Sequence, residues 1–250
     1  MRFVDLSAPI RPDPQDYPEP LRTEIEFADH AAGAEAIEQL FGIGRELLRD
    51  GEGWATETFM RFGTHNSTHV DAPWHYNSTT GGRRSETIEE LPLEWFFAPG
   101  VVIDATDRDD GEELTAEDVA ERLPRPLNER DIVLVRTGRD EFYEQPDYIG
   151  RGPGVSAEAT RFLYERGVRV MGIDAWGWDA PLFMQAERAK KADRPGVFWA
   201  AHQLDLAYSQ IERLVNLGEL PPHGFQVACF PLRIIGASAA PARVVAIVPD

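Results

Sequence analysis

The segment GTHNSTHVDAPWHY, residues 63–76, carries His65, His69, Asp71 and His75, and with them half of the six histidines in the chain. Intervals of four, two and four residues would point all four side chains to one side of a straight strand. Such a strand rises about 3.3 Å per residue and would hold His65 and Asp71 roughly 20 Å apart, whereas the ligands of one cation lie about 2.0 to 2.2 Å from it. The chain must therefore bend. A tight or helical turn through GTHNST makes His65 and His69 neighbours, and Pro73 disfavours helix at Ala72, so the chain straightens just after Asp71. Two imidazoles and one carboxylate then converge. That donor set suits Zn²⁺, Mn²⁺ or Fe²⁺, and three protein ligands leave a position for water, the arrangement of catalytic rather than structural sites. His75 is expected near that water without binding the ion. Thr64, Asn66, Ser67 and Thr68 are small or polar and ill suited to a core strand.

Other segments add candidates. Glu212 sits between Ile211 and Leu214, with Arg213 beside it, in a segment expected to be buried, where a carboxylate needs a partner and a metal is the strongest available. His202, in WAAHQLD, reads equally as a ligand or as an ordinary helix-terminal histidine. Phe62 and Trp74 flank the histidine cluster, and Trp176 and Trp178 bracket Gly177 in DAWGWDAP, walls that a flat apolar substrate would fit. Trp176 leads among them, because Gly177 signals close backbone approach. Asp174 and Asp179 are suited to orienting loops or ligands, Arg136 to pairing with a carboxylate, and Cys229 to a place in the core.

The elements that must position these groups alternate along the chain. FVDLSAPI reads as a short strand and RPDPQDYPEP, with four prolines, as an extended loop. Ile37, Leu40, Phe41, Leu47 and Leu48 follow the helical period over roughly residues 33–50, with Asp50-Gly51 as the stop. Strands are predicted at VVIDAT, DIVLVRTG, RVMGID, GFQVACFPLRII and ARVVAIV, several as continuous apolar runs of the buried kind. Between them lie TAEDVAERL capped by Thr115 with Asp118 in the capping-box position, SAEATRFLYERG capped by Ser156, and PLFMQAERAKKA. The alternation predicts a mixed α/β domain with a mainly buried sheet.

Length and composition set the bounds. A chain of 250 residues and 28.0 kDa can bury a real core, and a single domain over residues 1–250 is expected. The 25 basic against 43 acidic residues give a charge of −18, which repels nucleic acid and anionic lipid where no basic patch intervenes, and none is seen. A single cysteine, and a start MRFVDLSAPI without the apolar run of a secretory signal, point to the cytoplasm. No apolar stretch approaches a membrane span. The expected partner is a small molecule.

HNSTHVDAPWH resembles the H-x3-H-x-D-x-P-x-H signature of the metal-dependent cyclase family, which includes bacterial kynurenine formamidases and isatin hydrolases, and every motif position is filled. The resemblance continues through DLSAPI, DIVLVRTG, VMGIDAWGWD, IERLVNLGELP and GASAAPARVVAIV. It implies that His65, His69 and Asp71 bind one Zn or Mn ion and that His75 is the general acid/base. It implies a second ion on His202 and Glu212, with Asp71 bridging. The ten-residue interval between His202 and Glu212 is shorter than the family's, which leaves Gln203 and Gln210 as alternative ligands and one or two ions per chain. The implied fold is the swivelling β/β/α type, a mixed sheet or partial barrel with outer helices, in a homodimer or homotetramer.

A divalent ion lowers the pKa of its water from about 15.7 towards 7 and polarises a carbonyl, chemistry that hydrolyses amides and lactones. His75 would take the proton from the water and deliver it to the leaving nitrogen or oxygen, a job that suits an imidazole, whose unperturbed pKa lies near 6.5. The expected activity is a metal-dependent hydrolase cleaving an amide or lactone in a small cyclic or aromatic substrate; a ring-forming dehydration is also open. Two rivals use part of the pattern. One is a non-haem Fe(II) oxygenase with His69, Asp71 and His202 as facial triad. The other is a metal-stabilised binding protein with an aromatic pocket.

Overall fold

The structure, a computed structural model, describes residues 1–15 and 17–249. It divides into two compact units, one formed by Met1–Ala8 with Ser67–Asp250, the other by Pro9–Asn66.

The larger unit is built on a nine-stranded sheet. Its spatial order is Arg2–Asp5, Val245–Val248, His223–Ala228, Phe97–Asp104, Ile132–Arg136, Val170–Ile173, Ser209–Glu212, His69–Asp71 and Ala239–Pro241. The four strands from Phe97–Asp104 to Ser209–Glu212 are mutually parallel, and antiparallel pairs flank them on both sides. Parallel neighbours demand long crossovers, and the helices Ala116–Arg122 and Ala157–Glu165 lie in two of these. The continuous apolar runs are explained by burial on both faces. Ile132, Leu134 and Val170 pack into one hydrophobic cluster, while Val133, Val135, Met171 and Ile173 pack into another. Cys229 is buried in the first cluster. The sheet also curls as a partial barrel: Val215 N donates to Leu6 O, Leu6 N to Val244 O, and Ser7 bridges Leu214.

Local signals act where expected. Thr115 accepts from Asp118 N while the Asp118 carboxylate takes the Thr115 amide, a complete capping box, and the Ser156 hydroxyl accepts from Ala159 N. Among the described residues no helix is long and apolar enough to cross a membrane. The chain leaves the larger unit after Ala8 and returns at Ser67, and hydroxyls clasp these two points. Ala8 N donates to Thr68 Oγ1 at 2.9 Å and Ser67 Oγ donates to Ala8 O at 2.9 Å.

The smaller unit pairs Glu24–Ala28 with Thr56–Arg61 and carries the helix His30–Phe41, capped by the Asp29 carboxylate. The helix expected over 33–50 thus ends early. Gly42 takes a left-handed conformation with φ 66, and Leu47 falls in a separate short 3-10 turn. Of the apolar residues that predicted the longer helix, Ile37 is buried, while Leu40, Phe41 and Leu47 are exposed.

Candidate active site

A strand turns into a helix at the heart of the larger unit. His69–Asp71 is a three-residue strand, Ala72 stays extended, and Pro73 opens the single helical turn Pro73–Tyr76 that carries His75. This is the straightening that a proline imposes on its predecessor. In that strand, residues two apart share a face. His69 and Asp71 therefore point the same way, and Nε2 of one lies 3.3 Å from Oδ1 of the other.

The neighbouring strand supplies the rest. Ser209–Glu212 runs antiparallel to His69–Asp71 with Glu212 directly opposite His69. Glu212 Oε2 lies 3.6 Å from His69 Nε2, and one ligand atom from each of His69, Asp71 and Glu212 falls within 4.8 Å of the others. Gln210, two residues before Glu212, shares its face and is fully buried. Its Nε2 donates to the Tyr208 hydroxyl at 2.8 Å, and its buried Oε1 has no hydrogen-bond partner. His69 Nδ1 lies 3.0 Å from Ser67 O, a contact that places the proton on Nδ1 and leaves Nε2 as a donor of electrons.

Behind this cluster stands a second histidine. His202 Nδ1 contacts Asp179 Oδ2 at 2.5 Å and its Nε2 lies 3.4 Å from Glu212 Oε1. The Asp179 carboxylate also accepts the amides of Ala201 and His202. Burial disfavours a charged His202, but its bonds to Asp179 and Glu212 outweigh that and push its pKa up to about 10. Burial and the Asp71 charge push Glu212 up, yet the bond from His202 leaves it below the ordinary carboxylate value. Trp178 N donates to Glu212 Oε1 at 3.0 Å, and a Cβ on Gly177 would stand 3.3 Å from the same oxygen, so the backbone closes over Glu212.

Three acidic groups, Asp71, Asp179 and Glu212, thus converge with two imidazoles inside the protein. A buried excess of carboxylate is costly unless a cation offsets it. Nitrogen and oxygen donors of this kind suit Zn²⁺ or Mn²⁺. The unsatisfied Gln210 oxygen and the carboxylate behind His202, the usual support of a metal-binding imidazole, fit the same occupant.

The larger unit brings together His69, Asp71, His202 and Glu212, with the half-buried His75 ring 5.8 Å from that of His202. His65 and Phe62 belong to the smaller unit, His65 in the turn closed by the bond from Asn66 N to Gly63 O. Trp74 is exposed. Trp176 is partly buried, with the Arg213 guanidinium 3.6 Å over its ring. Trp178 is fully buried and its Nε1 donates to Thr160 Oγ1, so its ring packs the core. Gln203 is exposed, unlike Gln210. Asp174 accepts from Thr137 and Gly138, and Arg136 pairs with Asp104 at 3.0 Å. Sequence reasoning passed over Trp199, which stacks on His202, and the stacked pair Tyr76 and Tyr208. Nothing in their local spacing marks them.

The family profile described as putative cyclase matches residues 4–180. The chain belongs to this cyclase family. A kynurenine formamidase of Salinibacter ruber is 30% identical over 188 residues, covering 74% of this chain and 77% of that protein. A kynurenine formamidase of Bacillus thuringiensis is 23% identical over 245 residues, 97% of this chain and 96% of that protein. Among solved structures, isatin hydrolase A from Labrenzia aggregata bound to benzyl benzoate superposes with a TM-score of 0.74 at 27% identity, covering 100% of this chain and 94% of that one. This member of the cyclase family is accordingly a hydrolase acting on C–N bonds, with the mixed α/β fold of its relatives. An oxygenase triad would leave Glu212 idle opposite His69, and the oxygenase and binding-protein readings give way to the hydrolase.

Proposed function

We propose that this chain is a metal-dependent amidohydrolase that cleaves the C–N bond of a small cyclic or aromatic amide. The observation that carries the reading is the buried cluster of His69, Asp71 and Glu212, with the buried Gln210 two residues before Glu212 on the same strand, beside a half-buried His75. In this reading His65, His69 and Asp71 hold one ion of Zn²⁺ or Mn²⁺, and Glu212, with His202 or Gln210, holds a second or orients the first. A cation bound there supplies Lewis acidity towards water and carbonyl oxygen. His75 takes a proton from the attacking water at a ring nitrogen and returns it to the departing amide nitrogen. His202, fixed by Asp179, holds Glu212 in place. Phe62, Trp74 and Trp176 contribute aromatic surface to the substrate, which favours planar amides.

The test combines elemental analysis with turnover. Purified without chelators, the protein is expected to hold at least one Zn or Mn per chain, and a ratio near two supports His202 and Glu212 as ligands. Hydrolysis of an N-formyl aryl amine or a cyclic aryl amide is expected to fall about 10²- to 10⁴-fold in H75A, with metal content unchanged. A metal-loaded enzyme that hydrolyses neither class refutes the reading. The working form is proposed to be a cytoplasmic homodimer or homotetramer, which sedimentation of the purified protein checks.

A further inference from the structure

The turn that carries His202 is held by a side chain with no chemistry of its own. Trp199 has φ 59, a left-handed conformation that bulky residues rarely adopt and that persists only where the surroundings enforce it. Here the enforcement comes from two neighbours. Gln185, in the helix Leu182–Ala192 and 1% exposed, accepts the Trp199 amide through Oε1 at 2.6 Å while its Nε2 donates to Ala180 O. Asp179 accepts the amides of Ala201 and His202, each at 3.1 Å. The backbone from 199 to 202 is thereby pinned at both ends.

The result is the place of the indole. Its ring lies nearly parallel to the His202 imidazole, with centroids 4.4 Å apart at 19°, and edge-on to His75 at 5.1 Å and 86°. One ring thus abuts both imidazoles of the proposed chemistry. Gln185, which sets that ring, hydrogen-bonds to neither.

We propose that Gln185 is a positioning residue that acts through the strained backbone of Trp199 to hold its indole against His75 and His202. The inference rests on the reading of His75 as proton carrier. Without the Gln185 carbonyl, Trp199 relaxes to negative φ and its ring leaves the two imidazoles. His75, half-buried, then spends less time facing the substrate, so the rate falls while substrate affinity changes little.

A double-mutant cycle on the metal-loaded full chain, with an N-formyl aryl amine as probe, tests this. Q185M is expected to lower kcat about tenfold with KM within about twofold, W199G to lower it at least as much, and the double variant to lose no more than W199G. Additive losses, or an unchanged kcat in Q185M, overturn the proposal. A second readout needs no turnover. Metal-free protein labelled with 5-fluorotryptophan carries six fluorine resonances, and the one missing in W199F belongs to Trp199. Q185M is expected to move that resonance and leave the rest in place. No movement, or movement of all of them, overturns the positioning role. H75A separates the two levels: wild-type kcat in H75A sinks the proton-carrier reading, whereas a dead H75A beside an unaffected Q185M sinks the positioning role alone.

Discussion

Asp179 serves three donors at once: the amides of Ala201 and His202 and the His202 ring. Each buried donor left without an acceptor costs about 1–3 kcal/mol. Asp179→Ala is therefore expected to lower the unfolding free energy of the metal-free protein by about 3 kcal/mol, read from urea titration; a loss below about 1 kcal/mol would show that these bonds contribute little. At this scale the sequence was informative wherever chemistry is local. His69 and Asp71 are two residues apart on one strand, so their convergence could be read from spacing. Glu212 stood out as a carboxylate flanked by Ile211 and, beyond Arg213, by Leu214 and Val215. Trp199 and Gln185 did not, because what matters is a contact between a helix and a turn fourteen residues away.

At the scale of elements, the short strand Gly154–Val155 works as a spacer for the site. A Cβ on Gly154 would stand 2.0 Å from Ala180 N and 2.5 Å from the Asp179 carbonyl carbon, atoms of backbone that cannot swing aside. Gly154→Ala is expected to cost about 1–3 kcal/mol in stability and, by shifting Asp179, to reduce kcat/KM as well. Gly150→Ala, where nothing lies within 4 Å, is the control and should stay within about 0.5 kcal/mol. Thermal unfolding with parallel kinetics compares them; equal behaviour of the two variants would remove the spacer role. The buried strands and the capped helices were legible because continuous apolar runs and capping boxes act locally. The strands His69–Asp71, Ser209–Glu212 and Ala239–Pro241 were not, since they are short and largely polar or small and owe their pairing to partners far along the chain. Gly42 ended a helix whose apolar period ran on beyond it.

For the whole molecule the acidic balance of −18 meets a set of arginine and backbone partners. The bond from Arg122 holds Asp107 below its ordinary value, the Thr115 amide does so for Asp118, and the Thr87 amide with Arg84 lowers Glu90 to about 2. A carboxylate depressed on folding contributes stability in full above its unfolded pKa, near 4, and loses it as pH falls through the folded value. Asp174 runs the other way. Burial lifts it to about 6 against the bonds from Thr137 and Gly138, so its protonation between pH 7 and 5 favours the folded state. Stability is accordingly expected to hold from pH 7 to 5 and to fail between about 4 and 2. Acid titration followed by circular dichroism checks this, and an unfolding midpoint above pH 5 would contradict it.

The hydroxyls of Ser67 and Thr68 grip Ala8 from both its N–H and its carbonyl. Fifty-eight residues, Pro9–Asn66, therefore leave and re-enter the larger unit at points tied side by side. An excursion of another length tied at the same two points is expected to cost little more to close, because the entropy of closure grows only slowly with length. The proposed ligand His65 and the aromatic Phe62 thus travel on one and the same excursion of the chain, while His69, Asp71 and Glu212 lie on strands of the sheet.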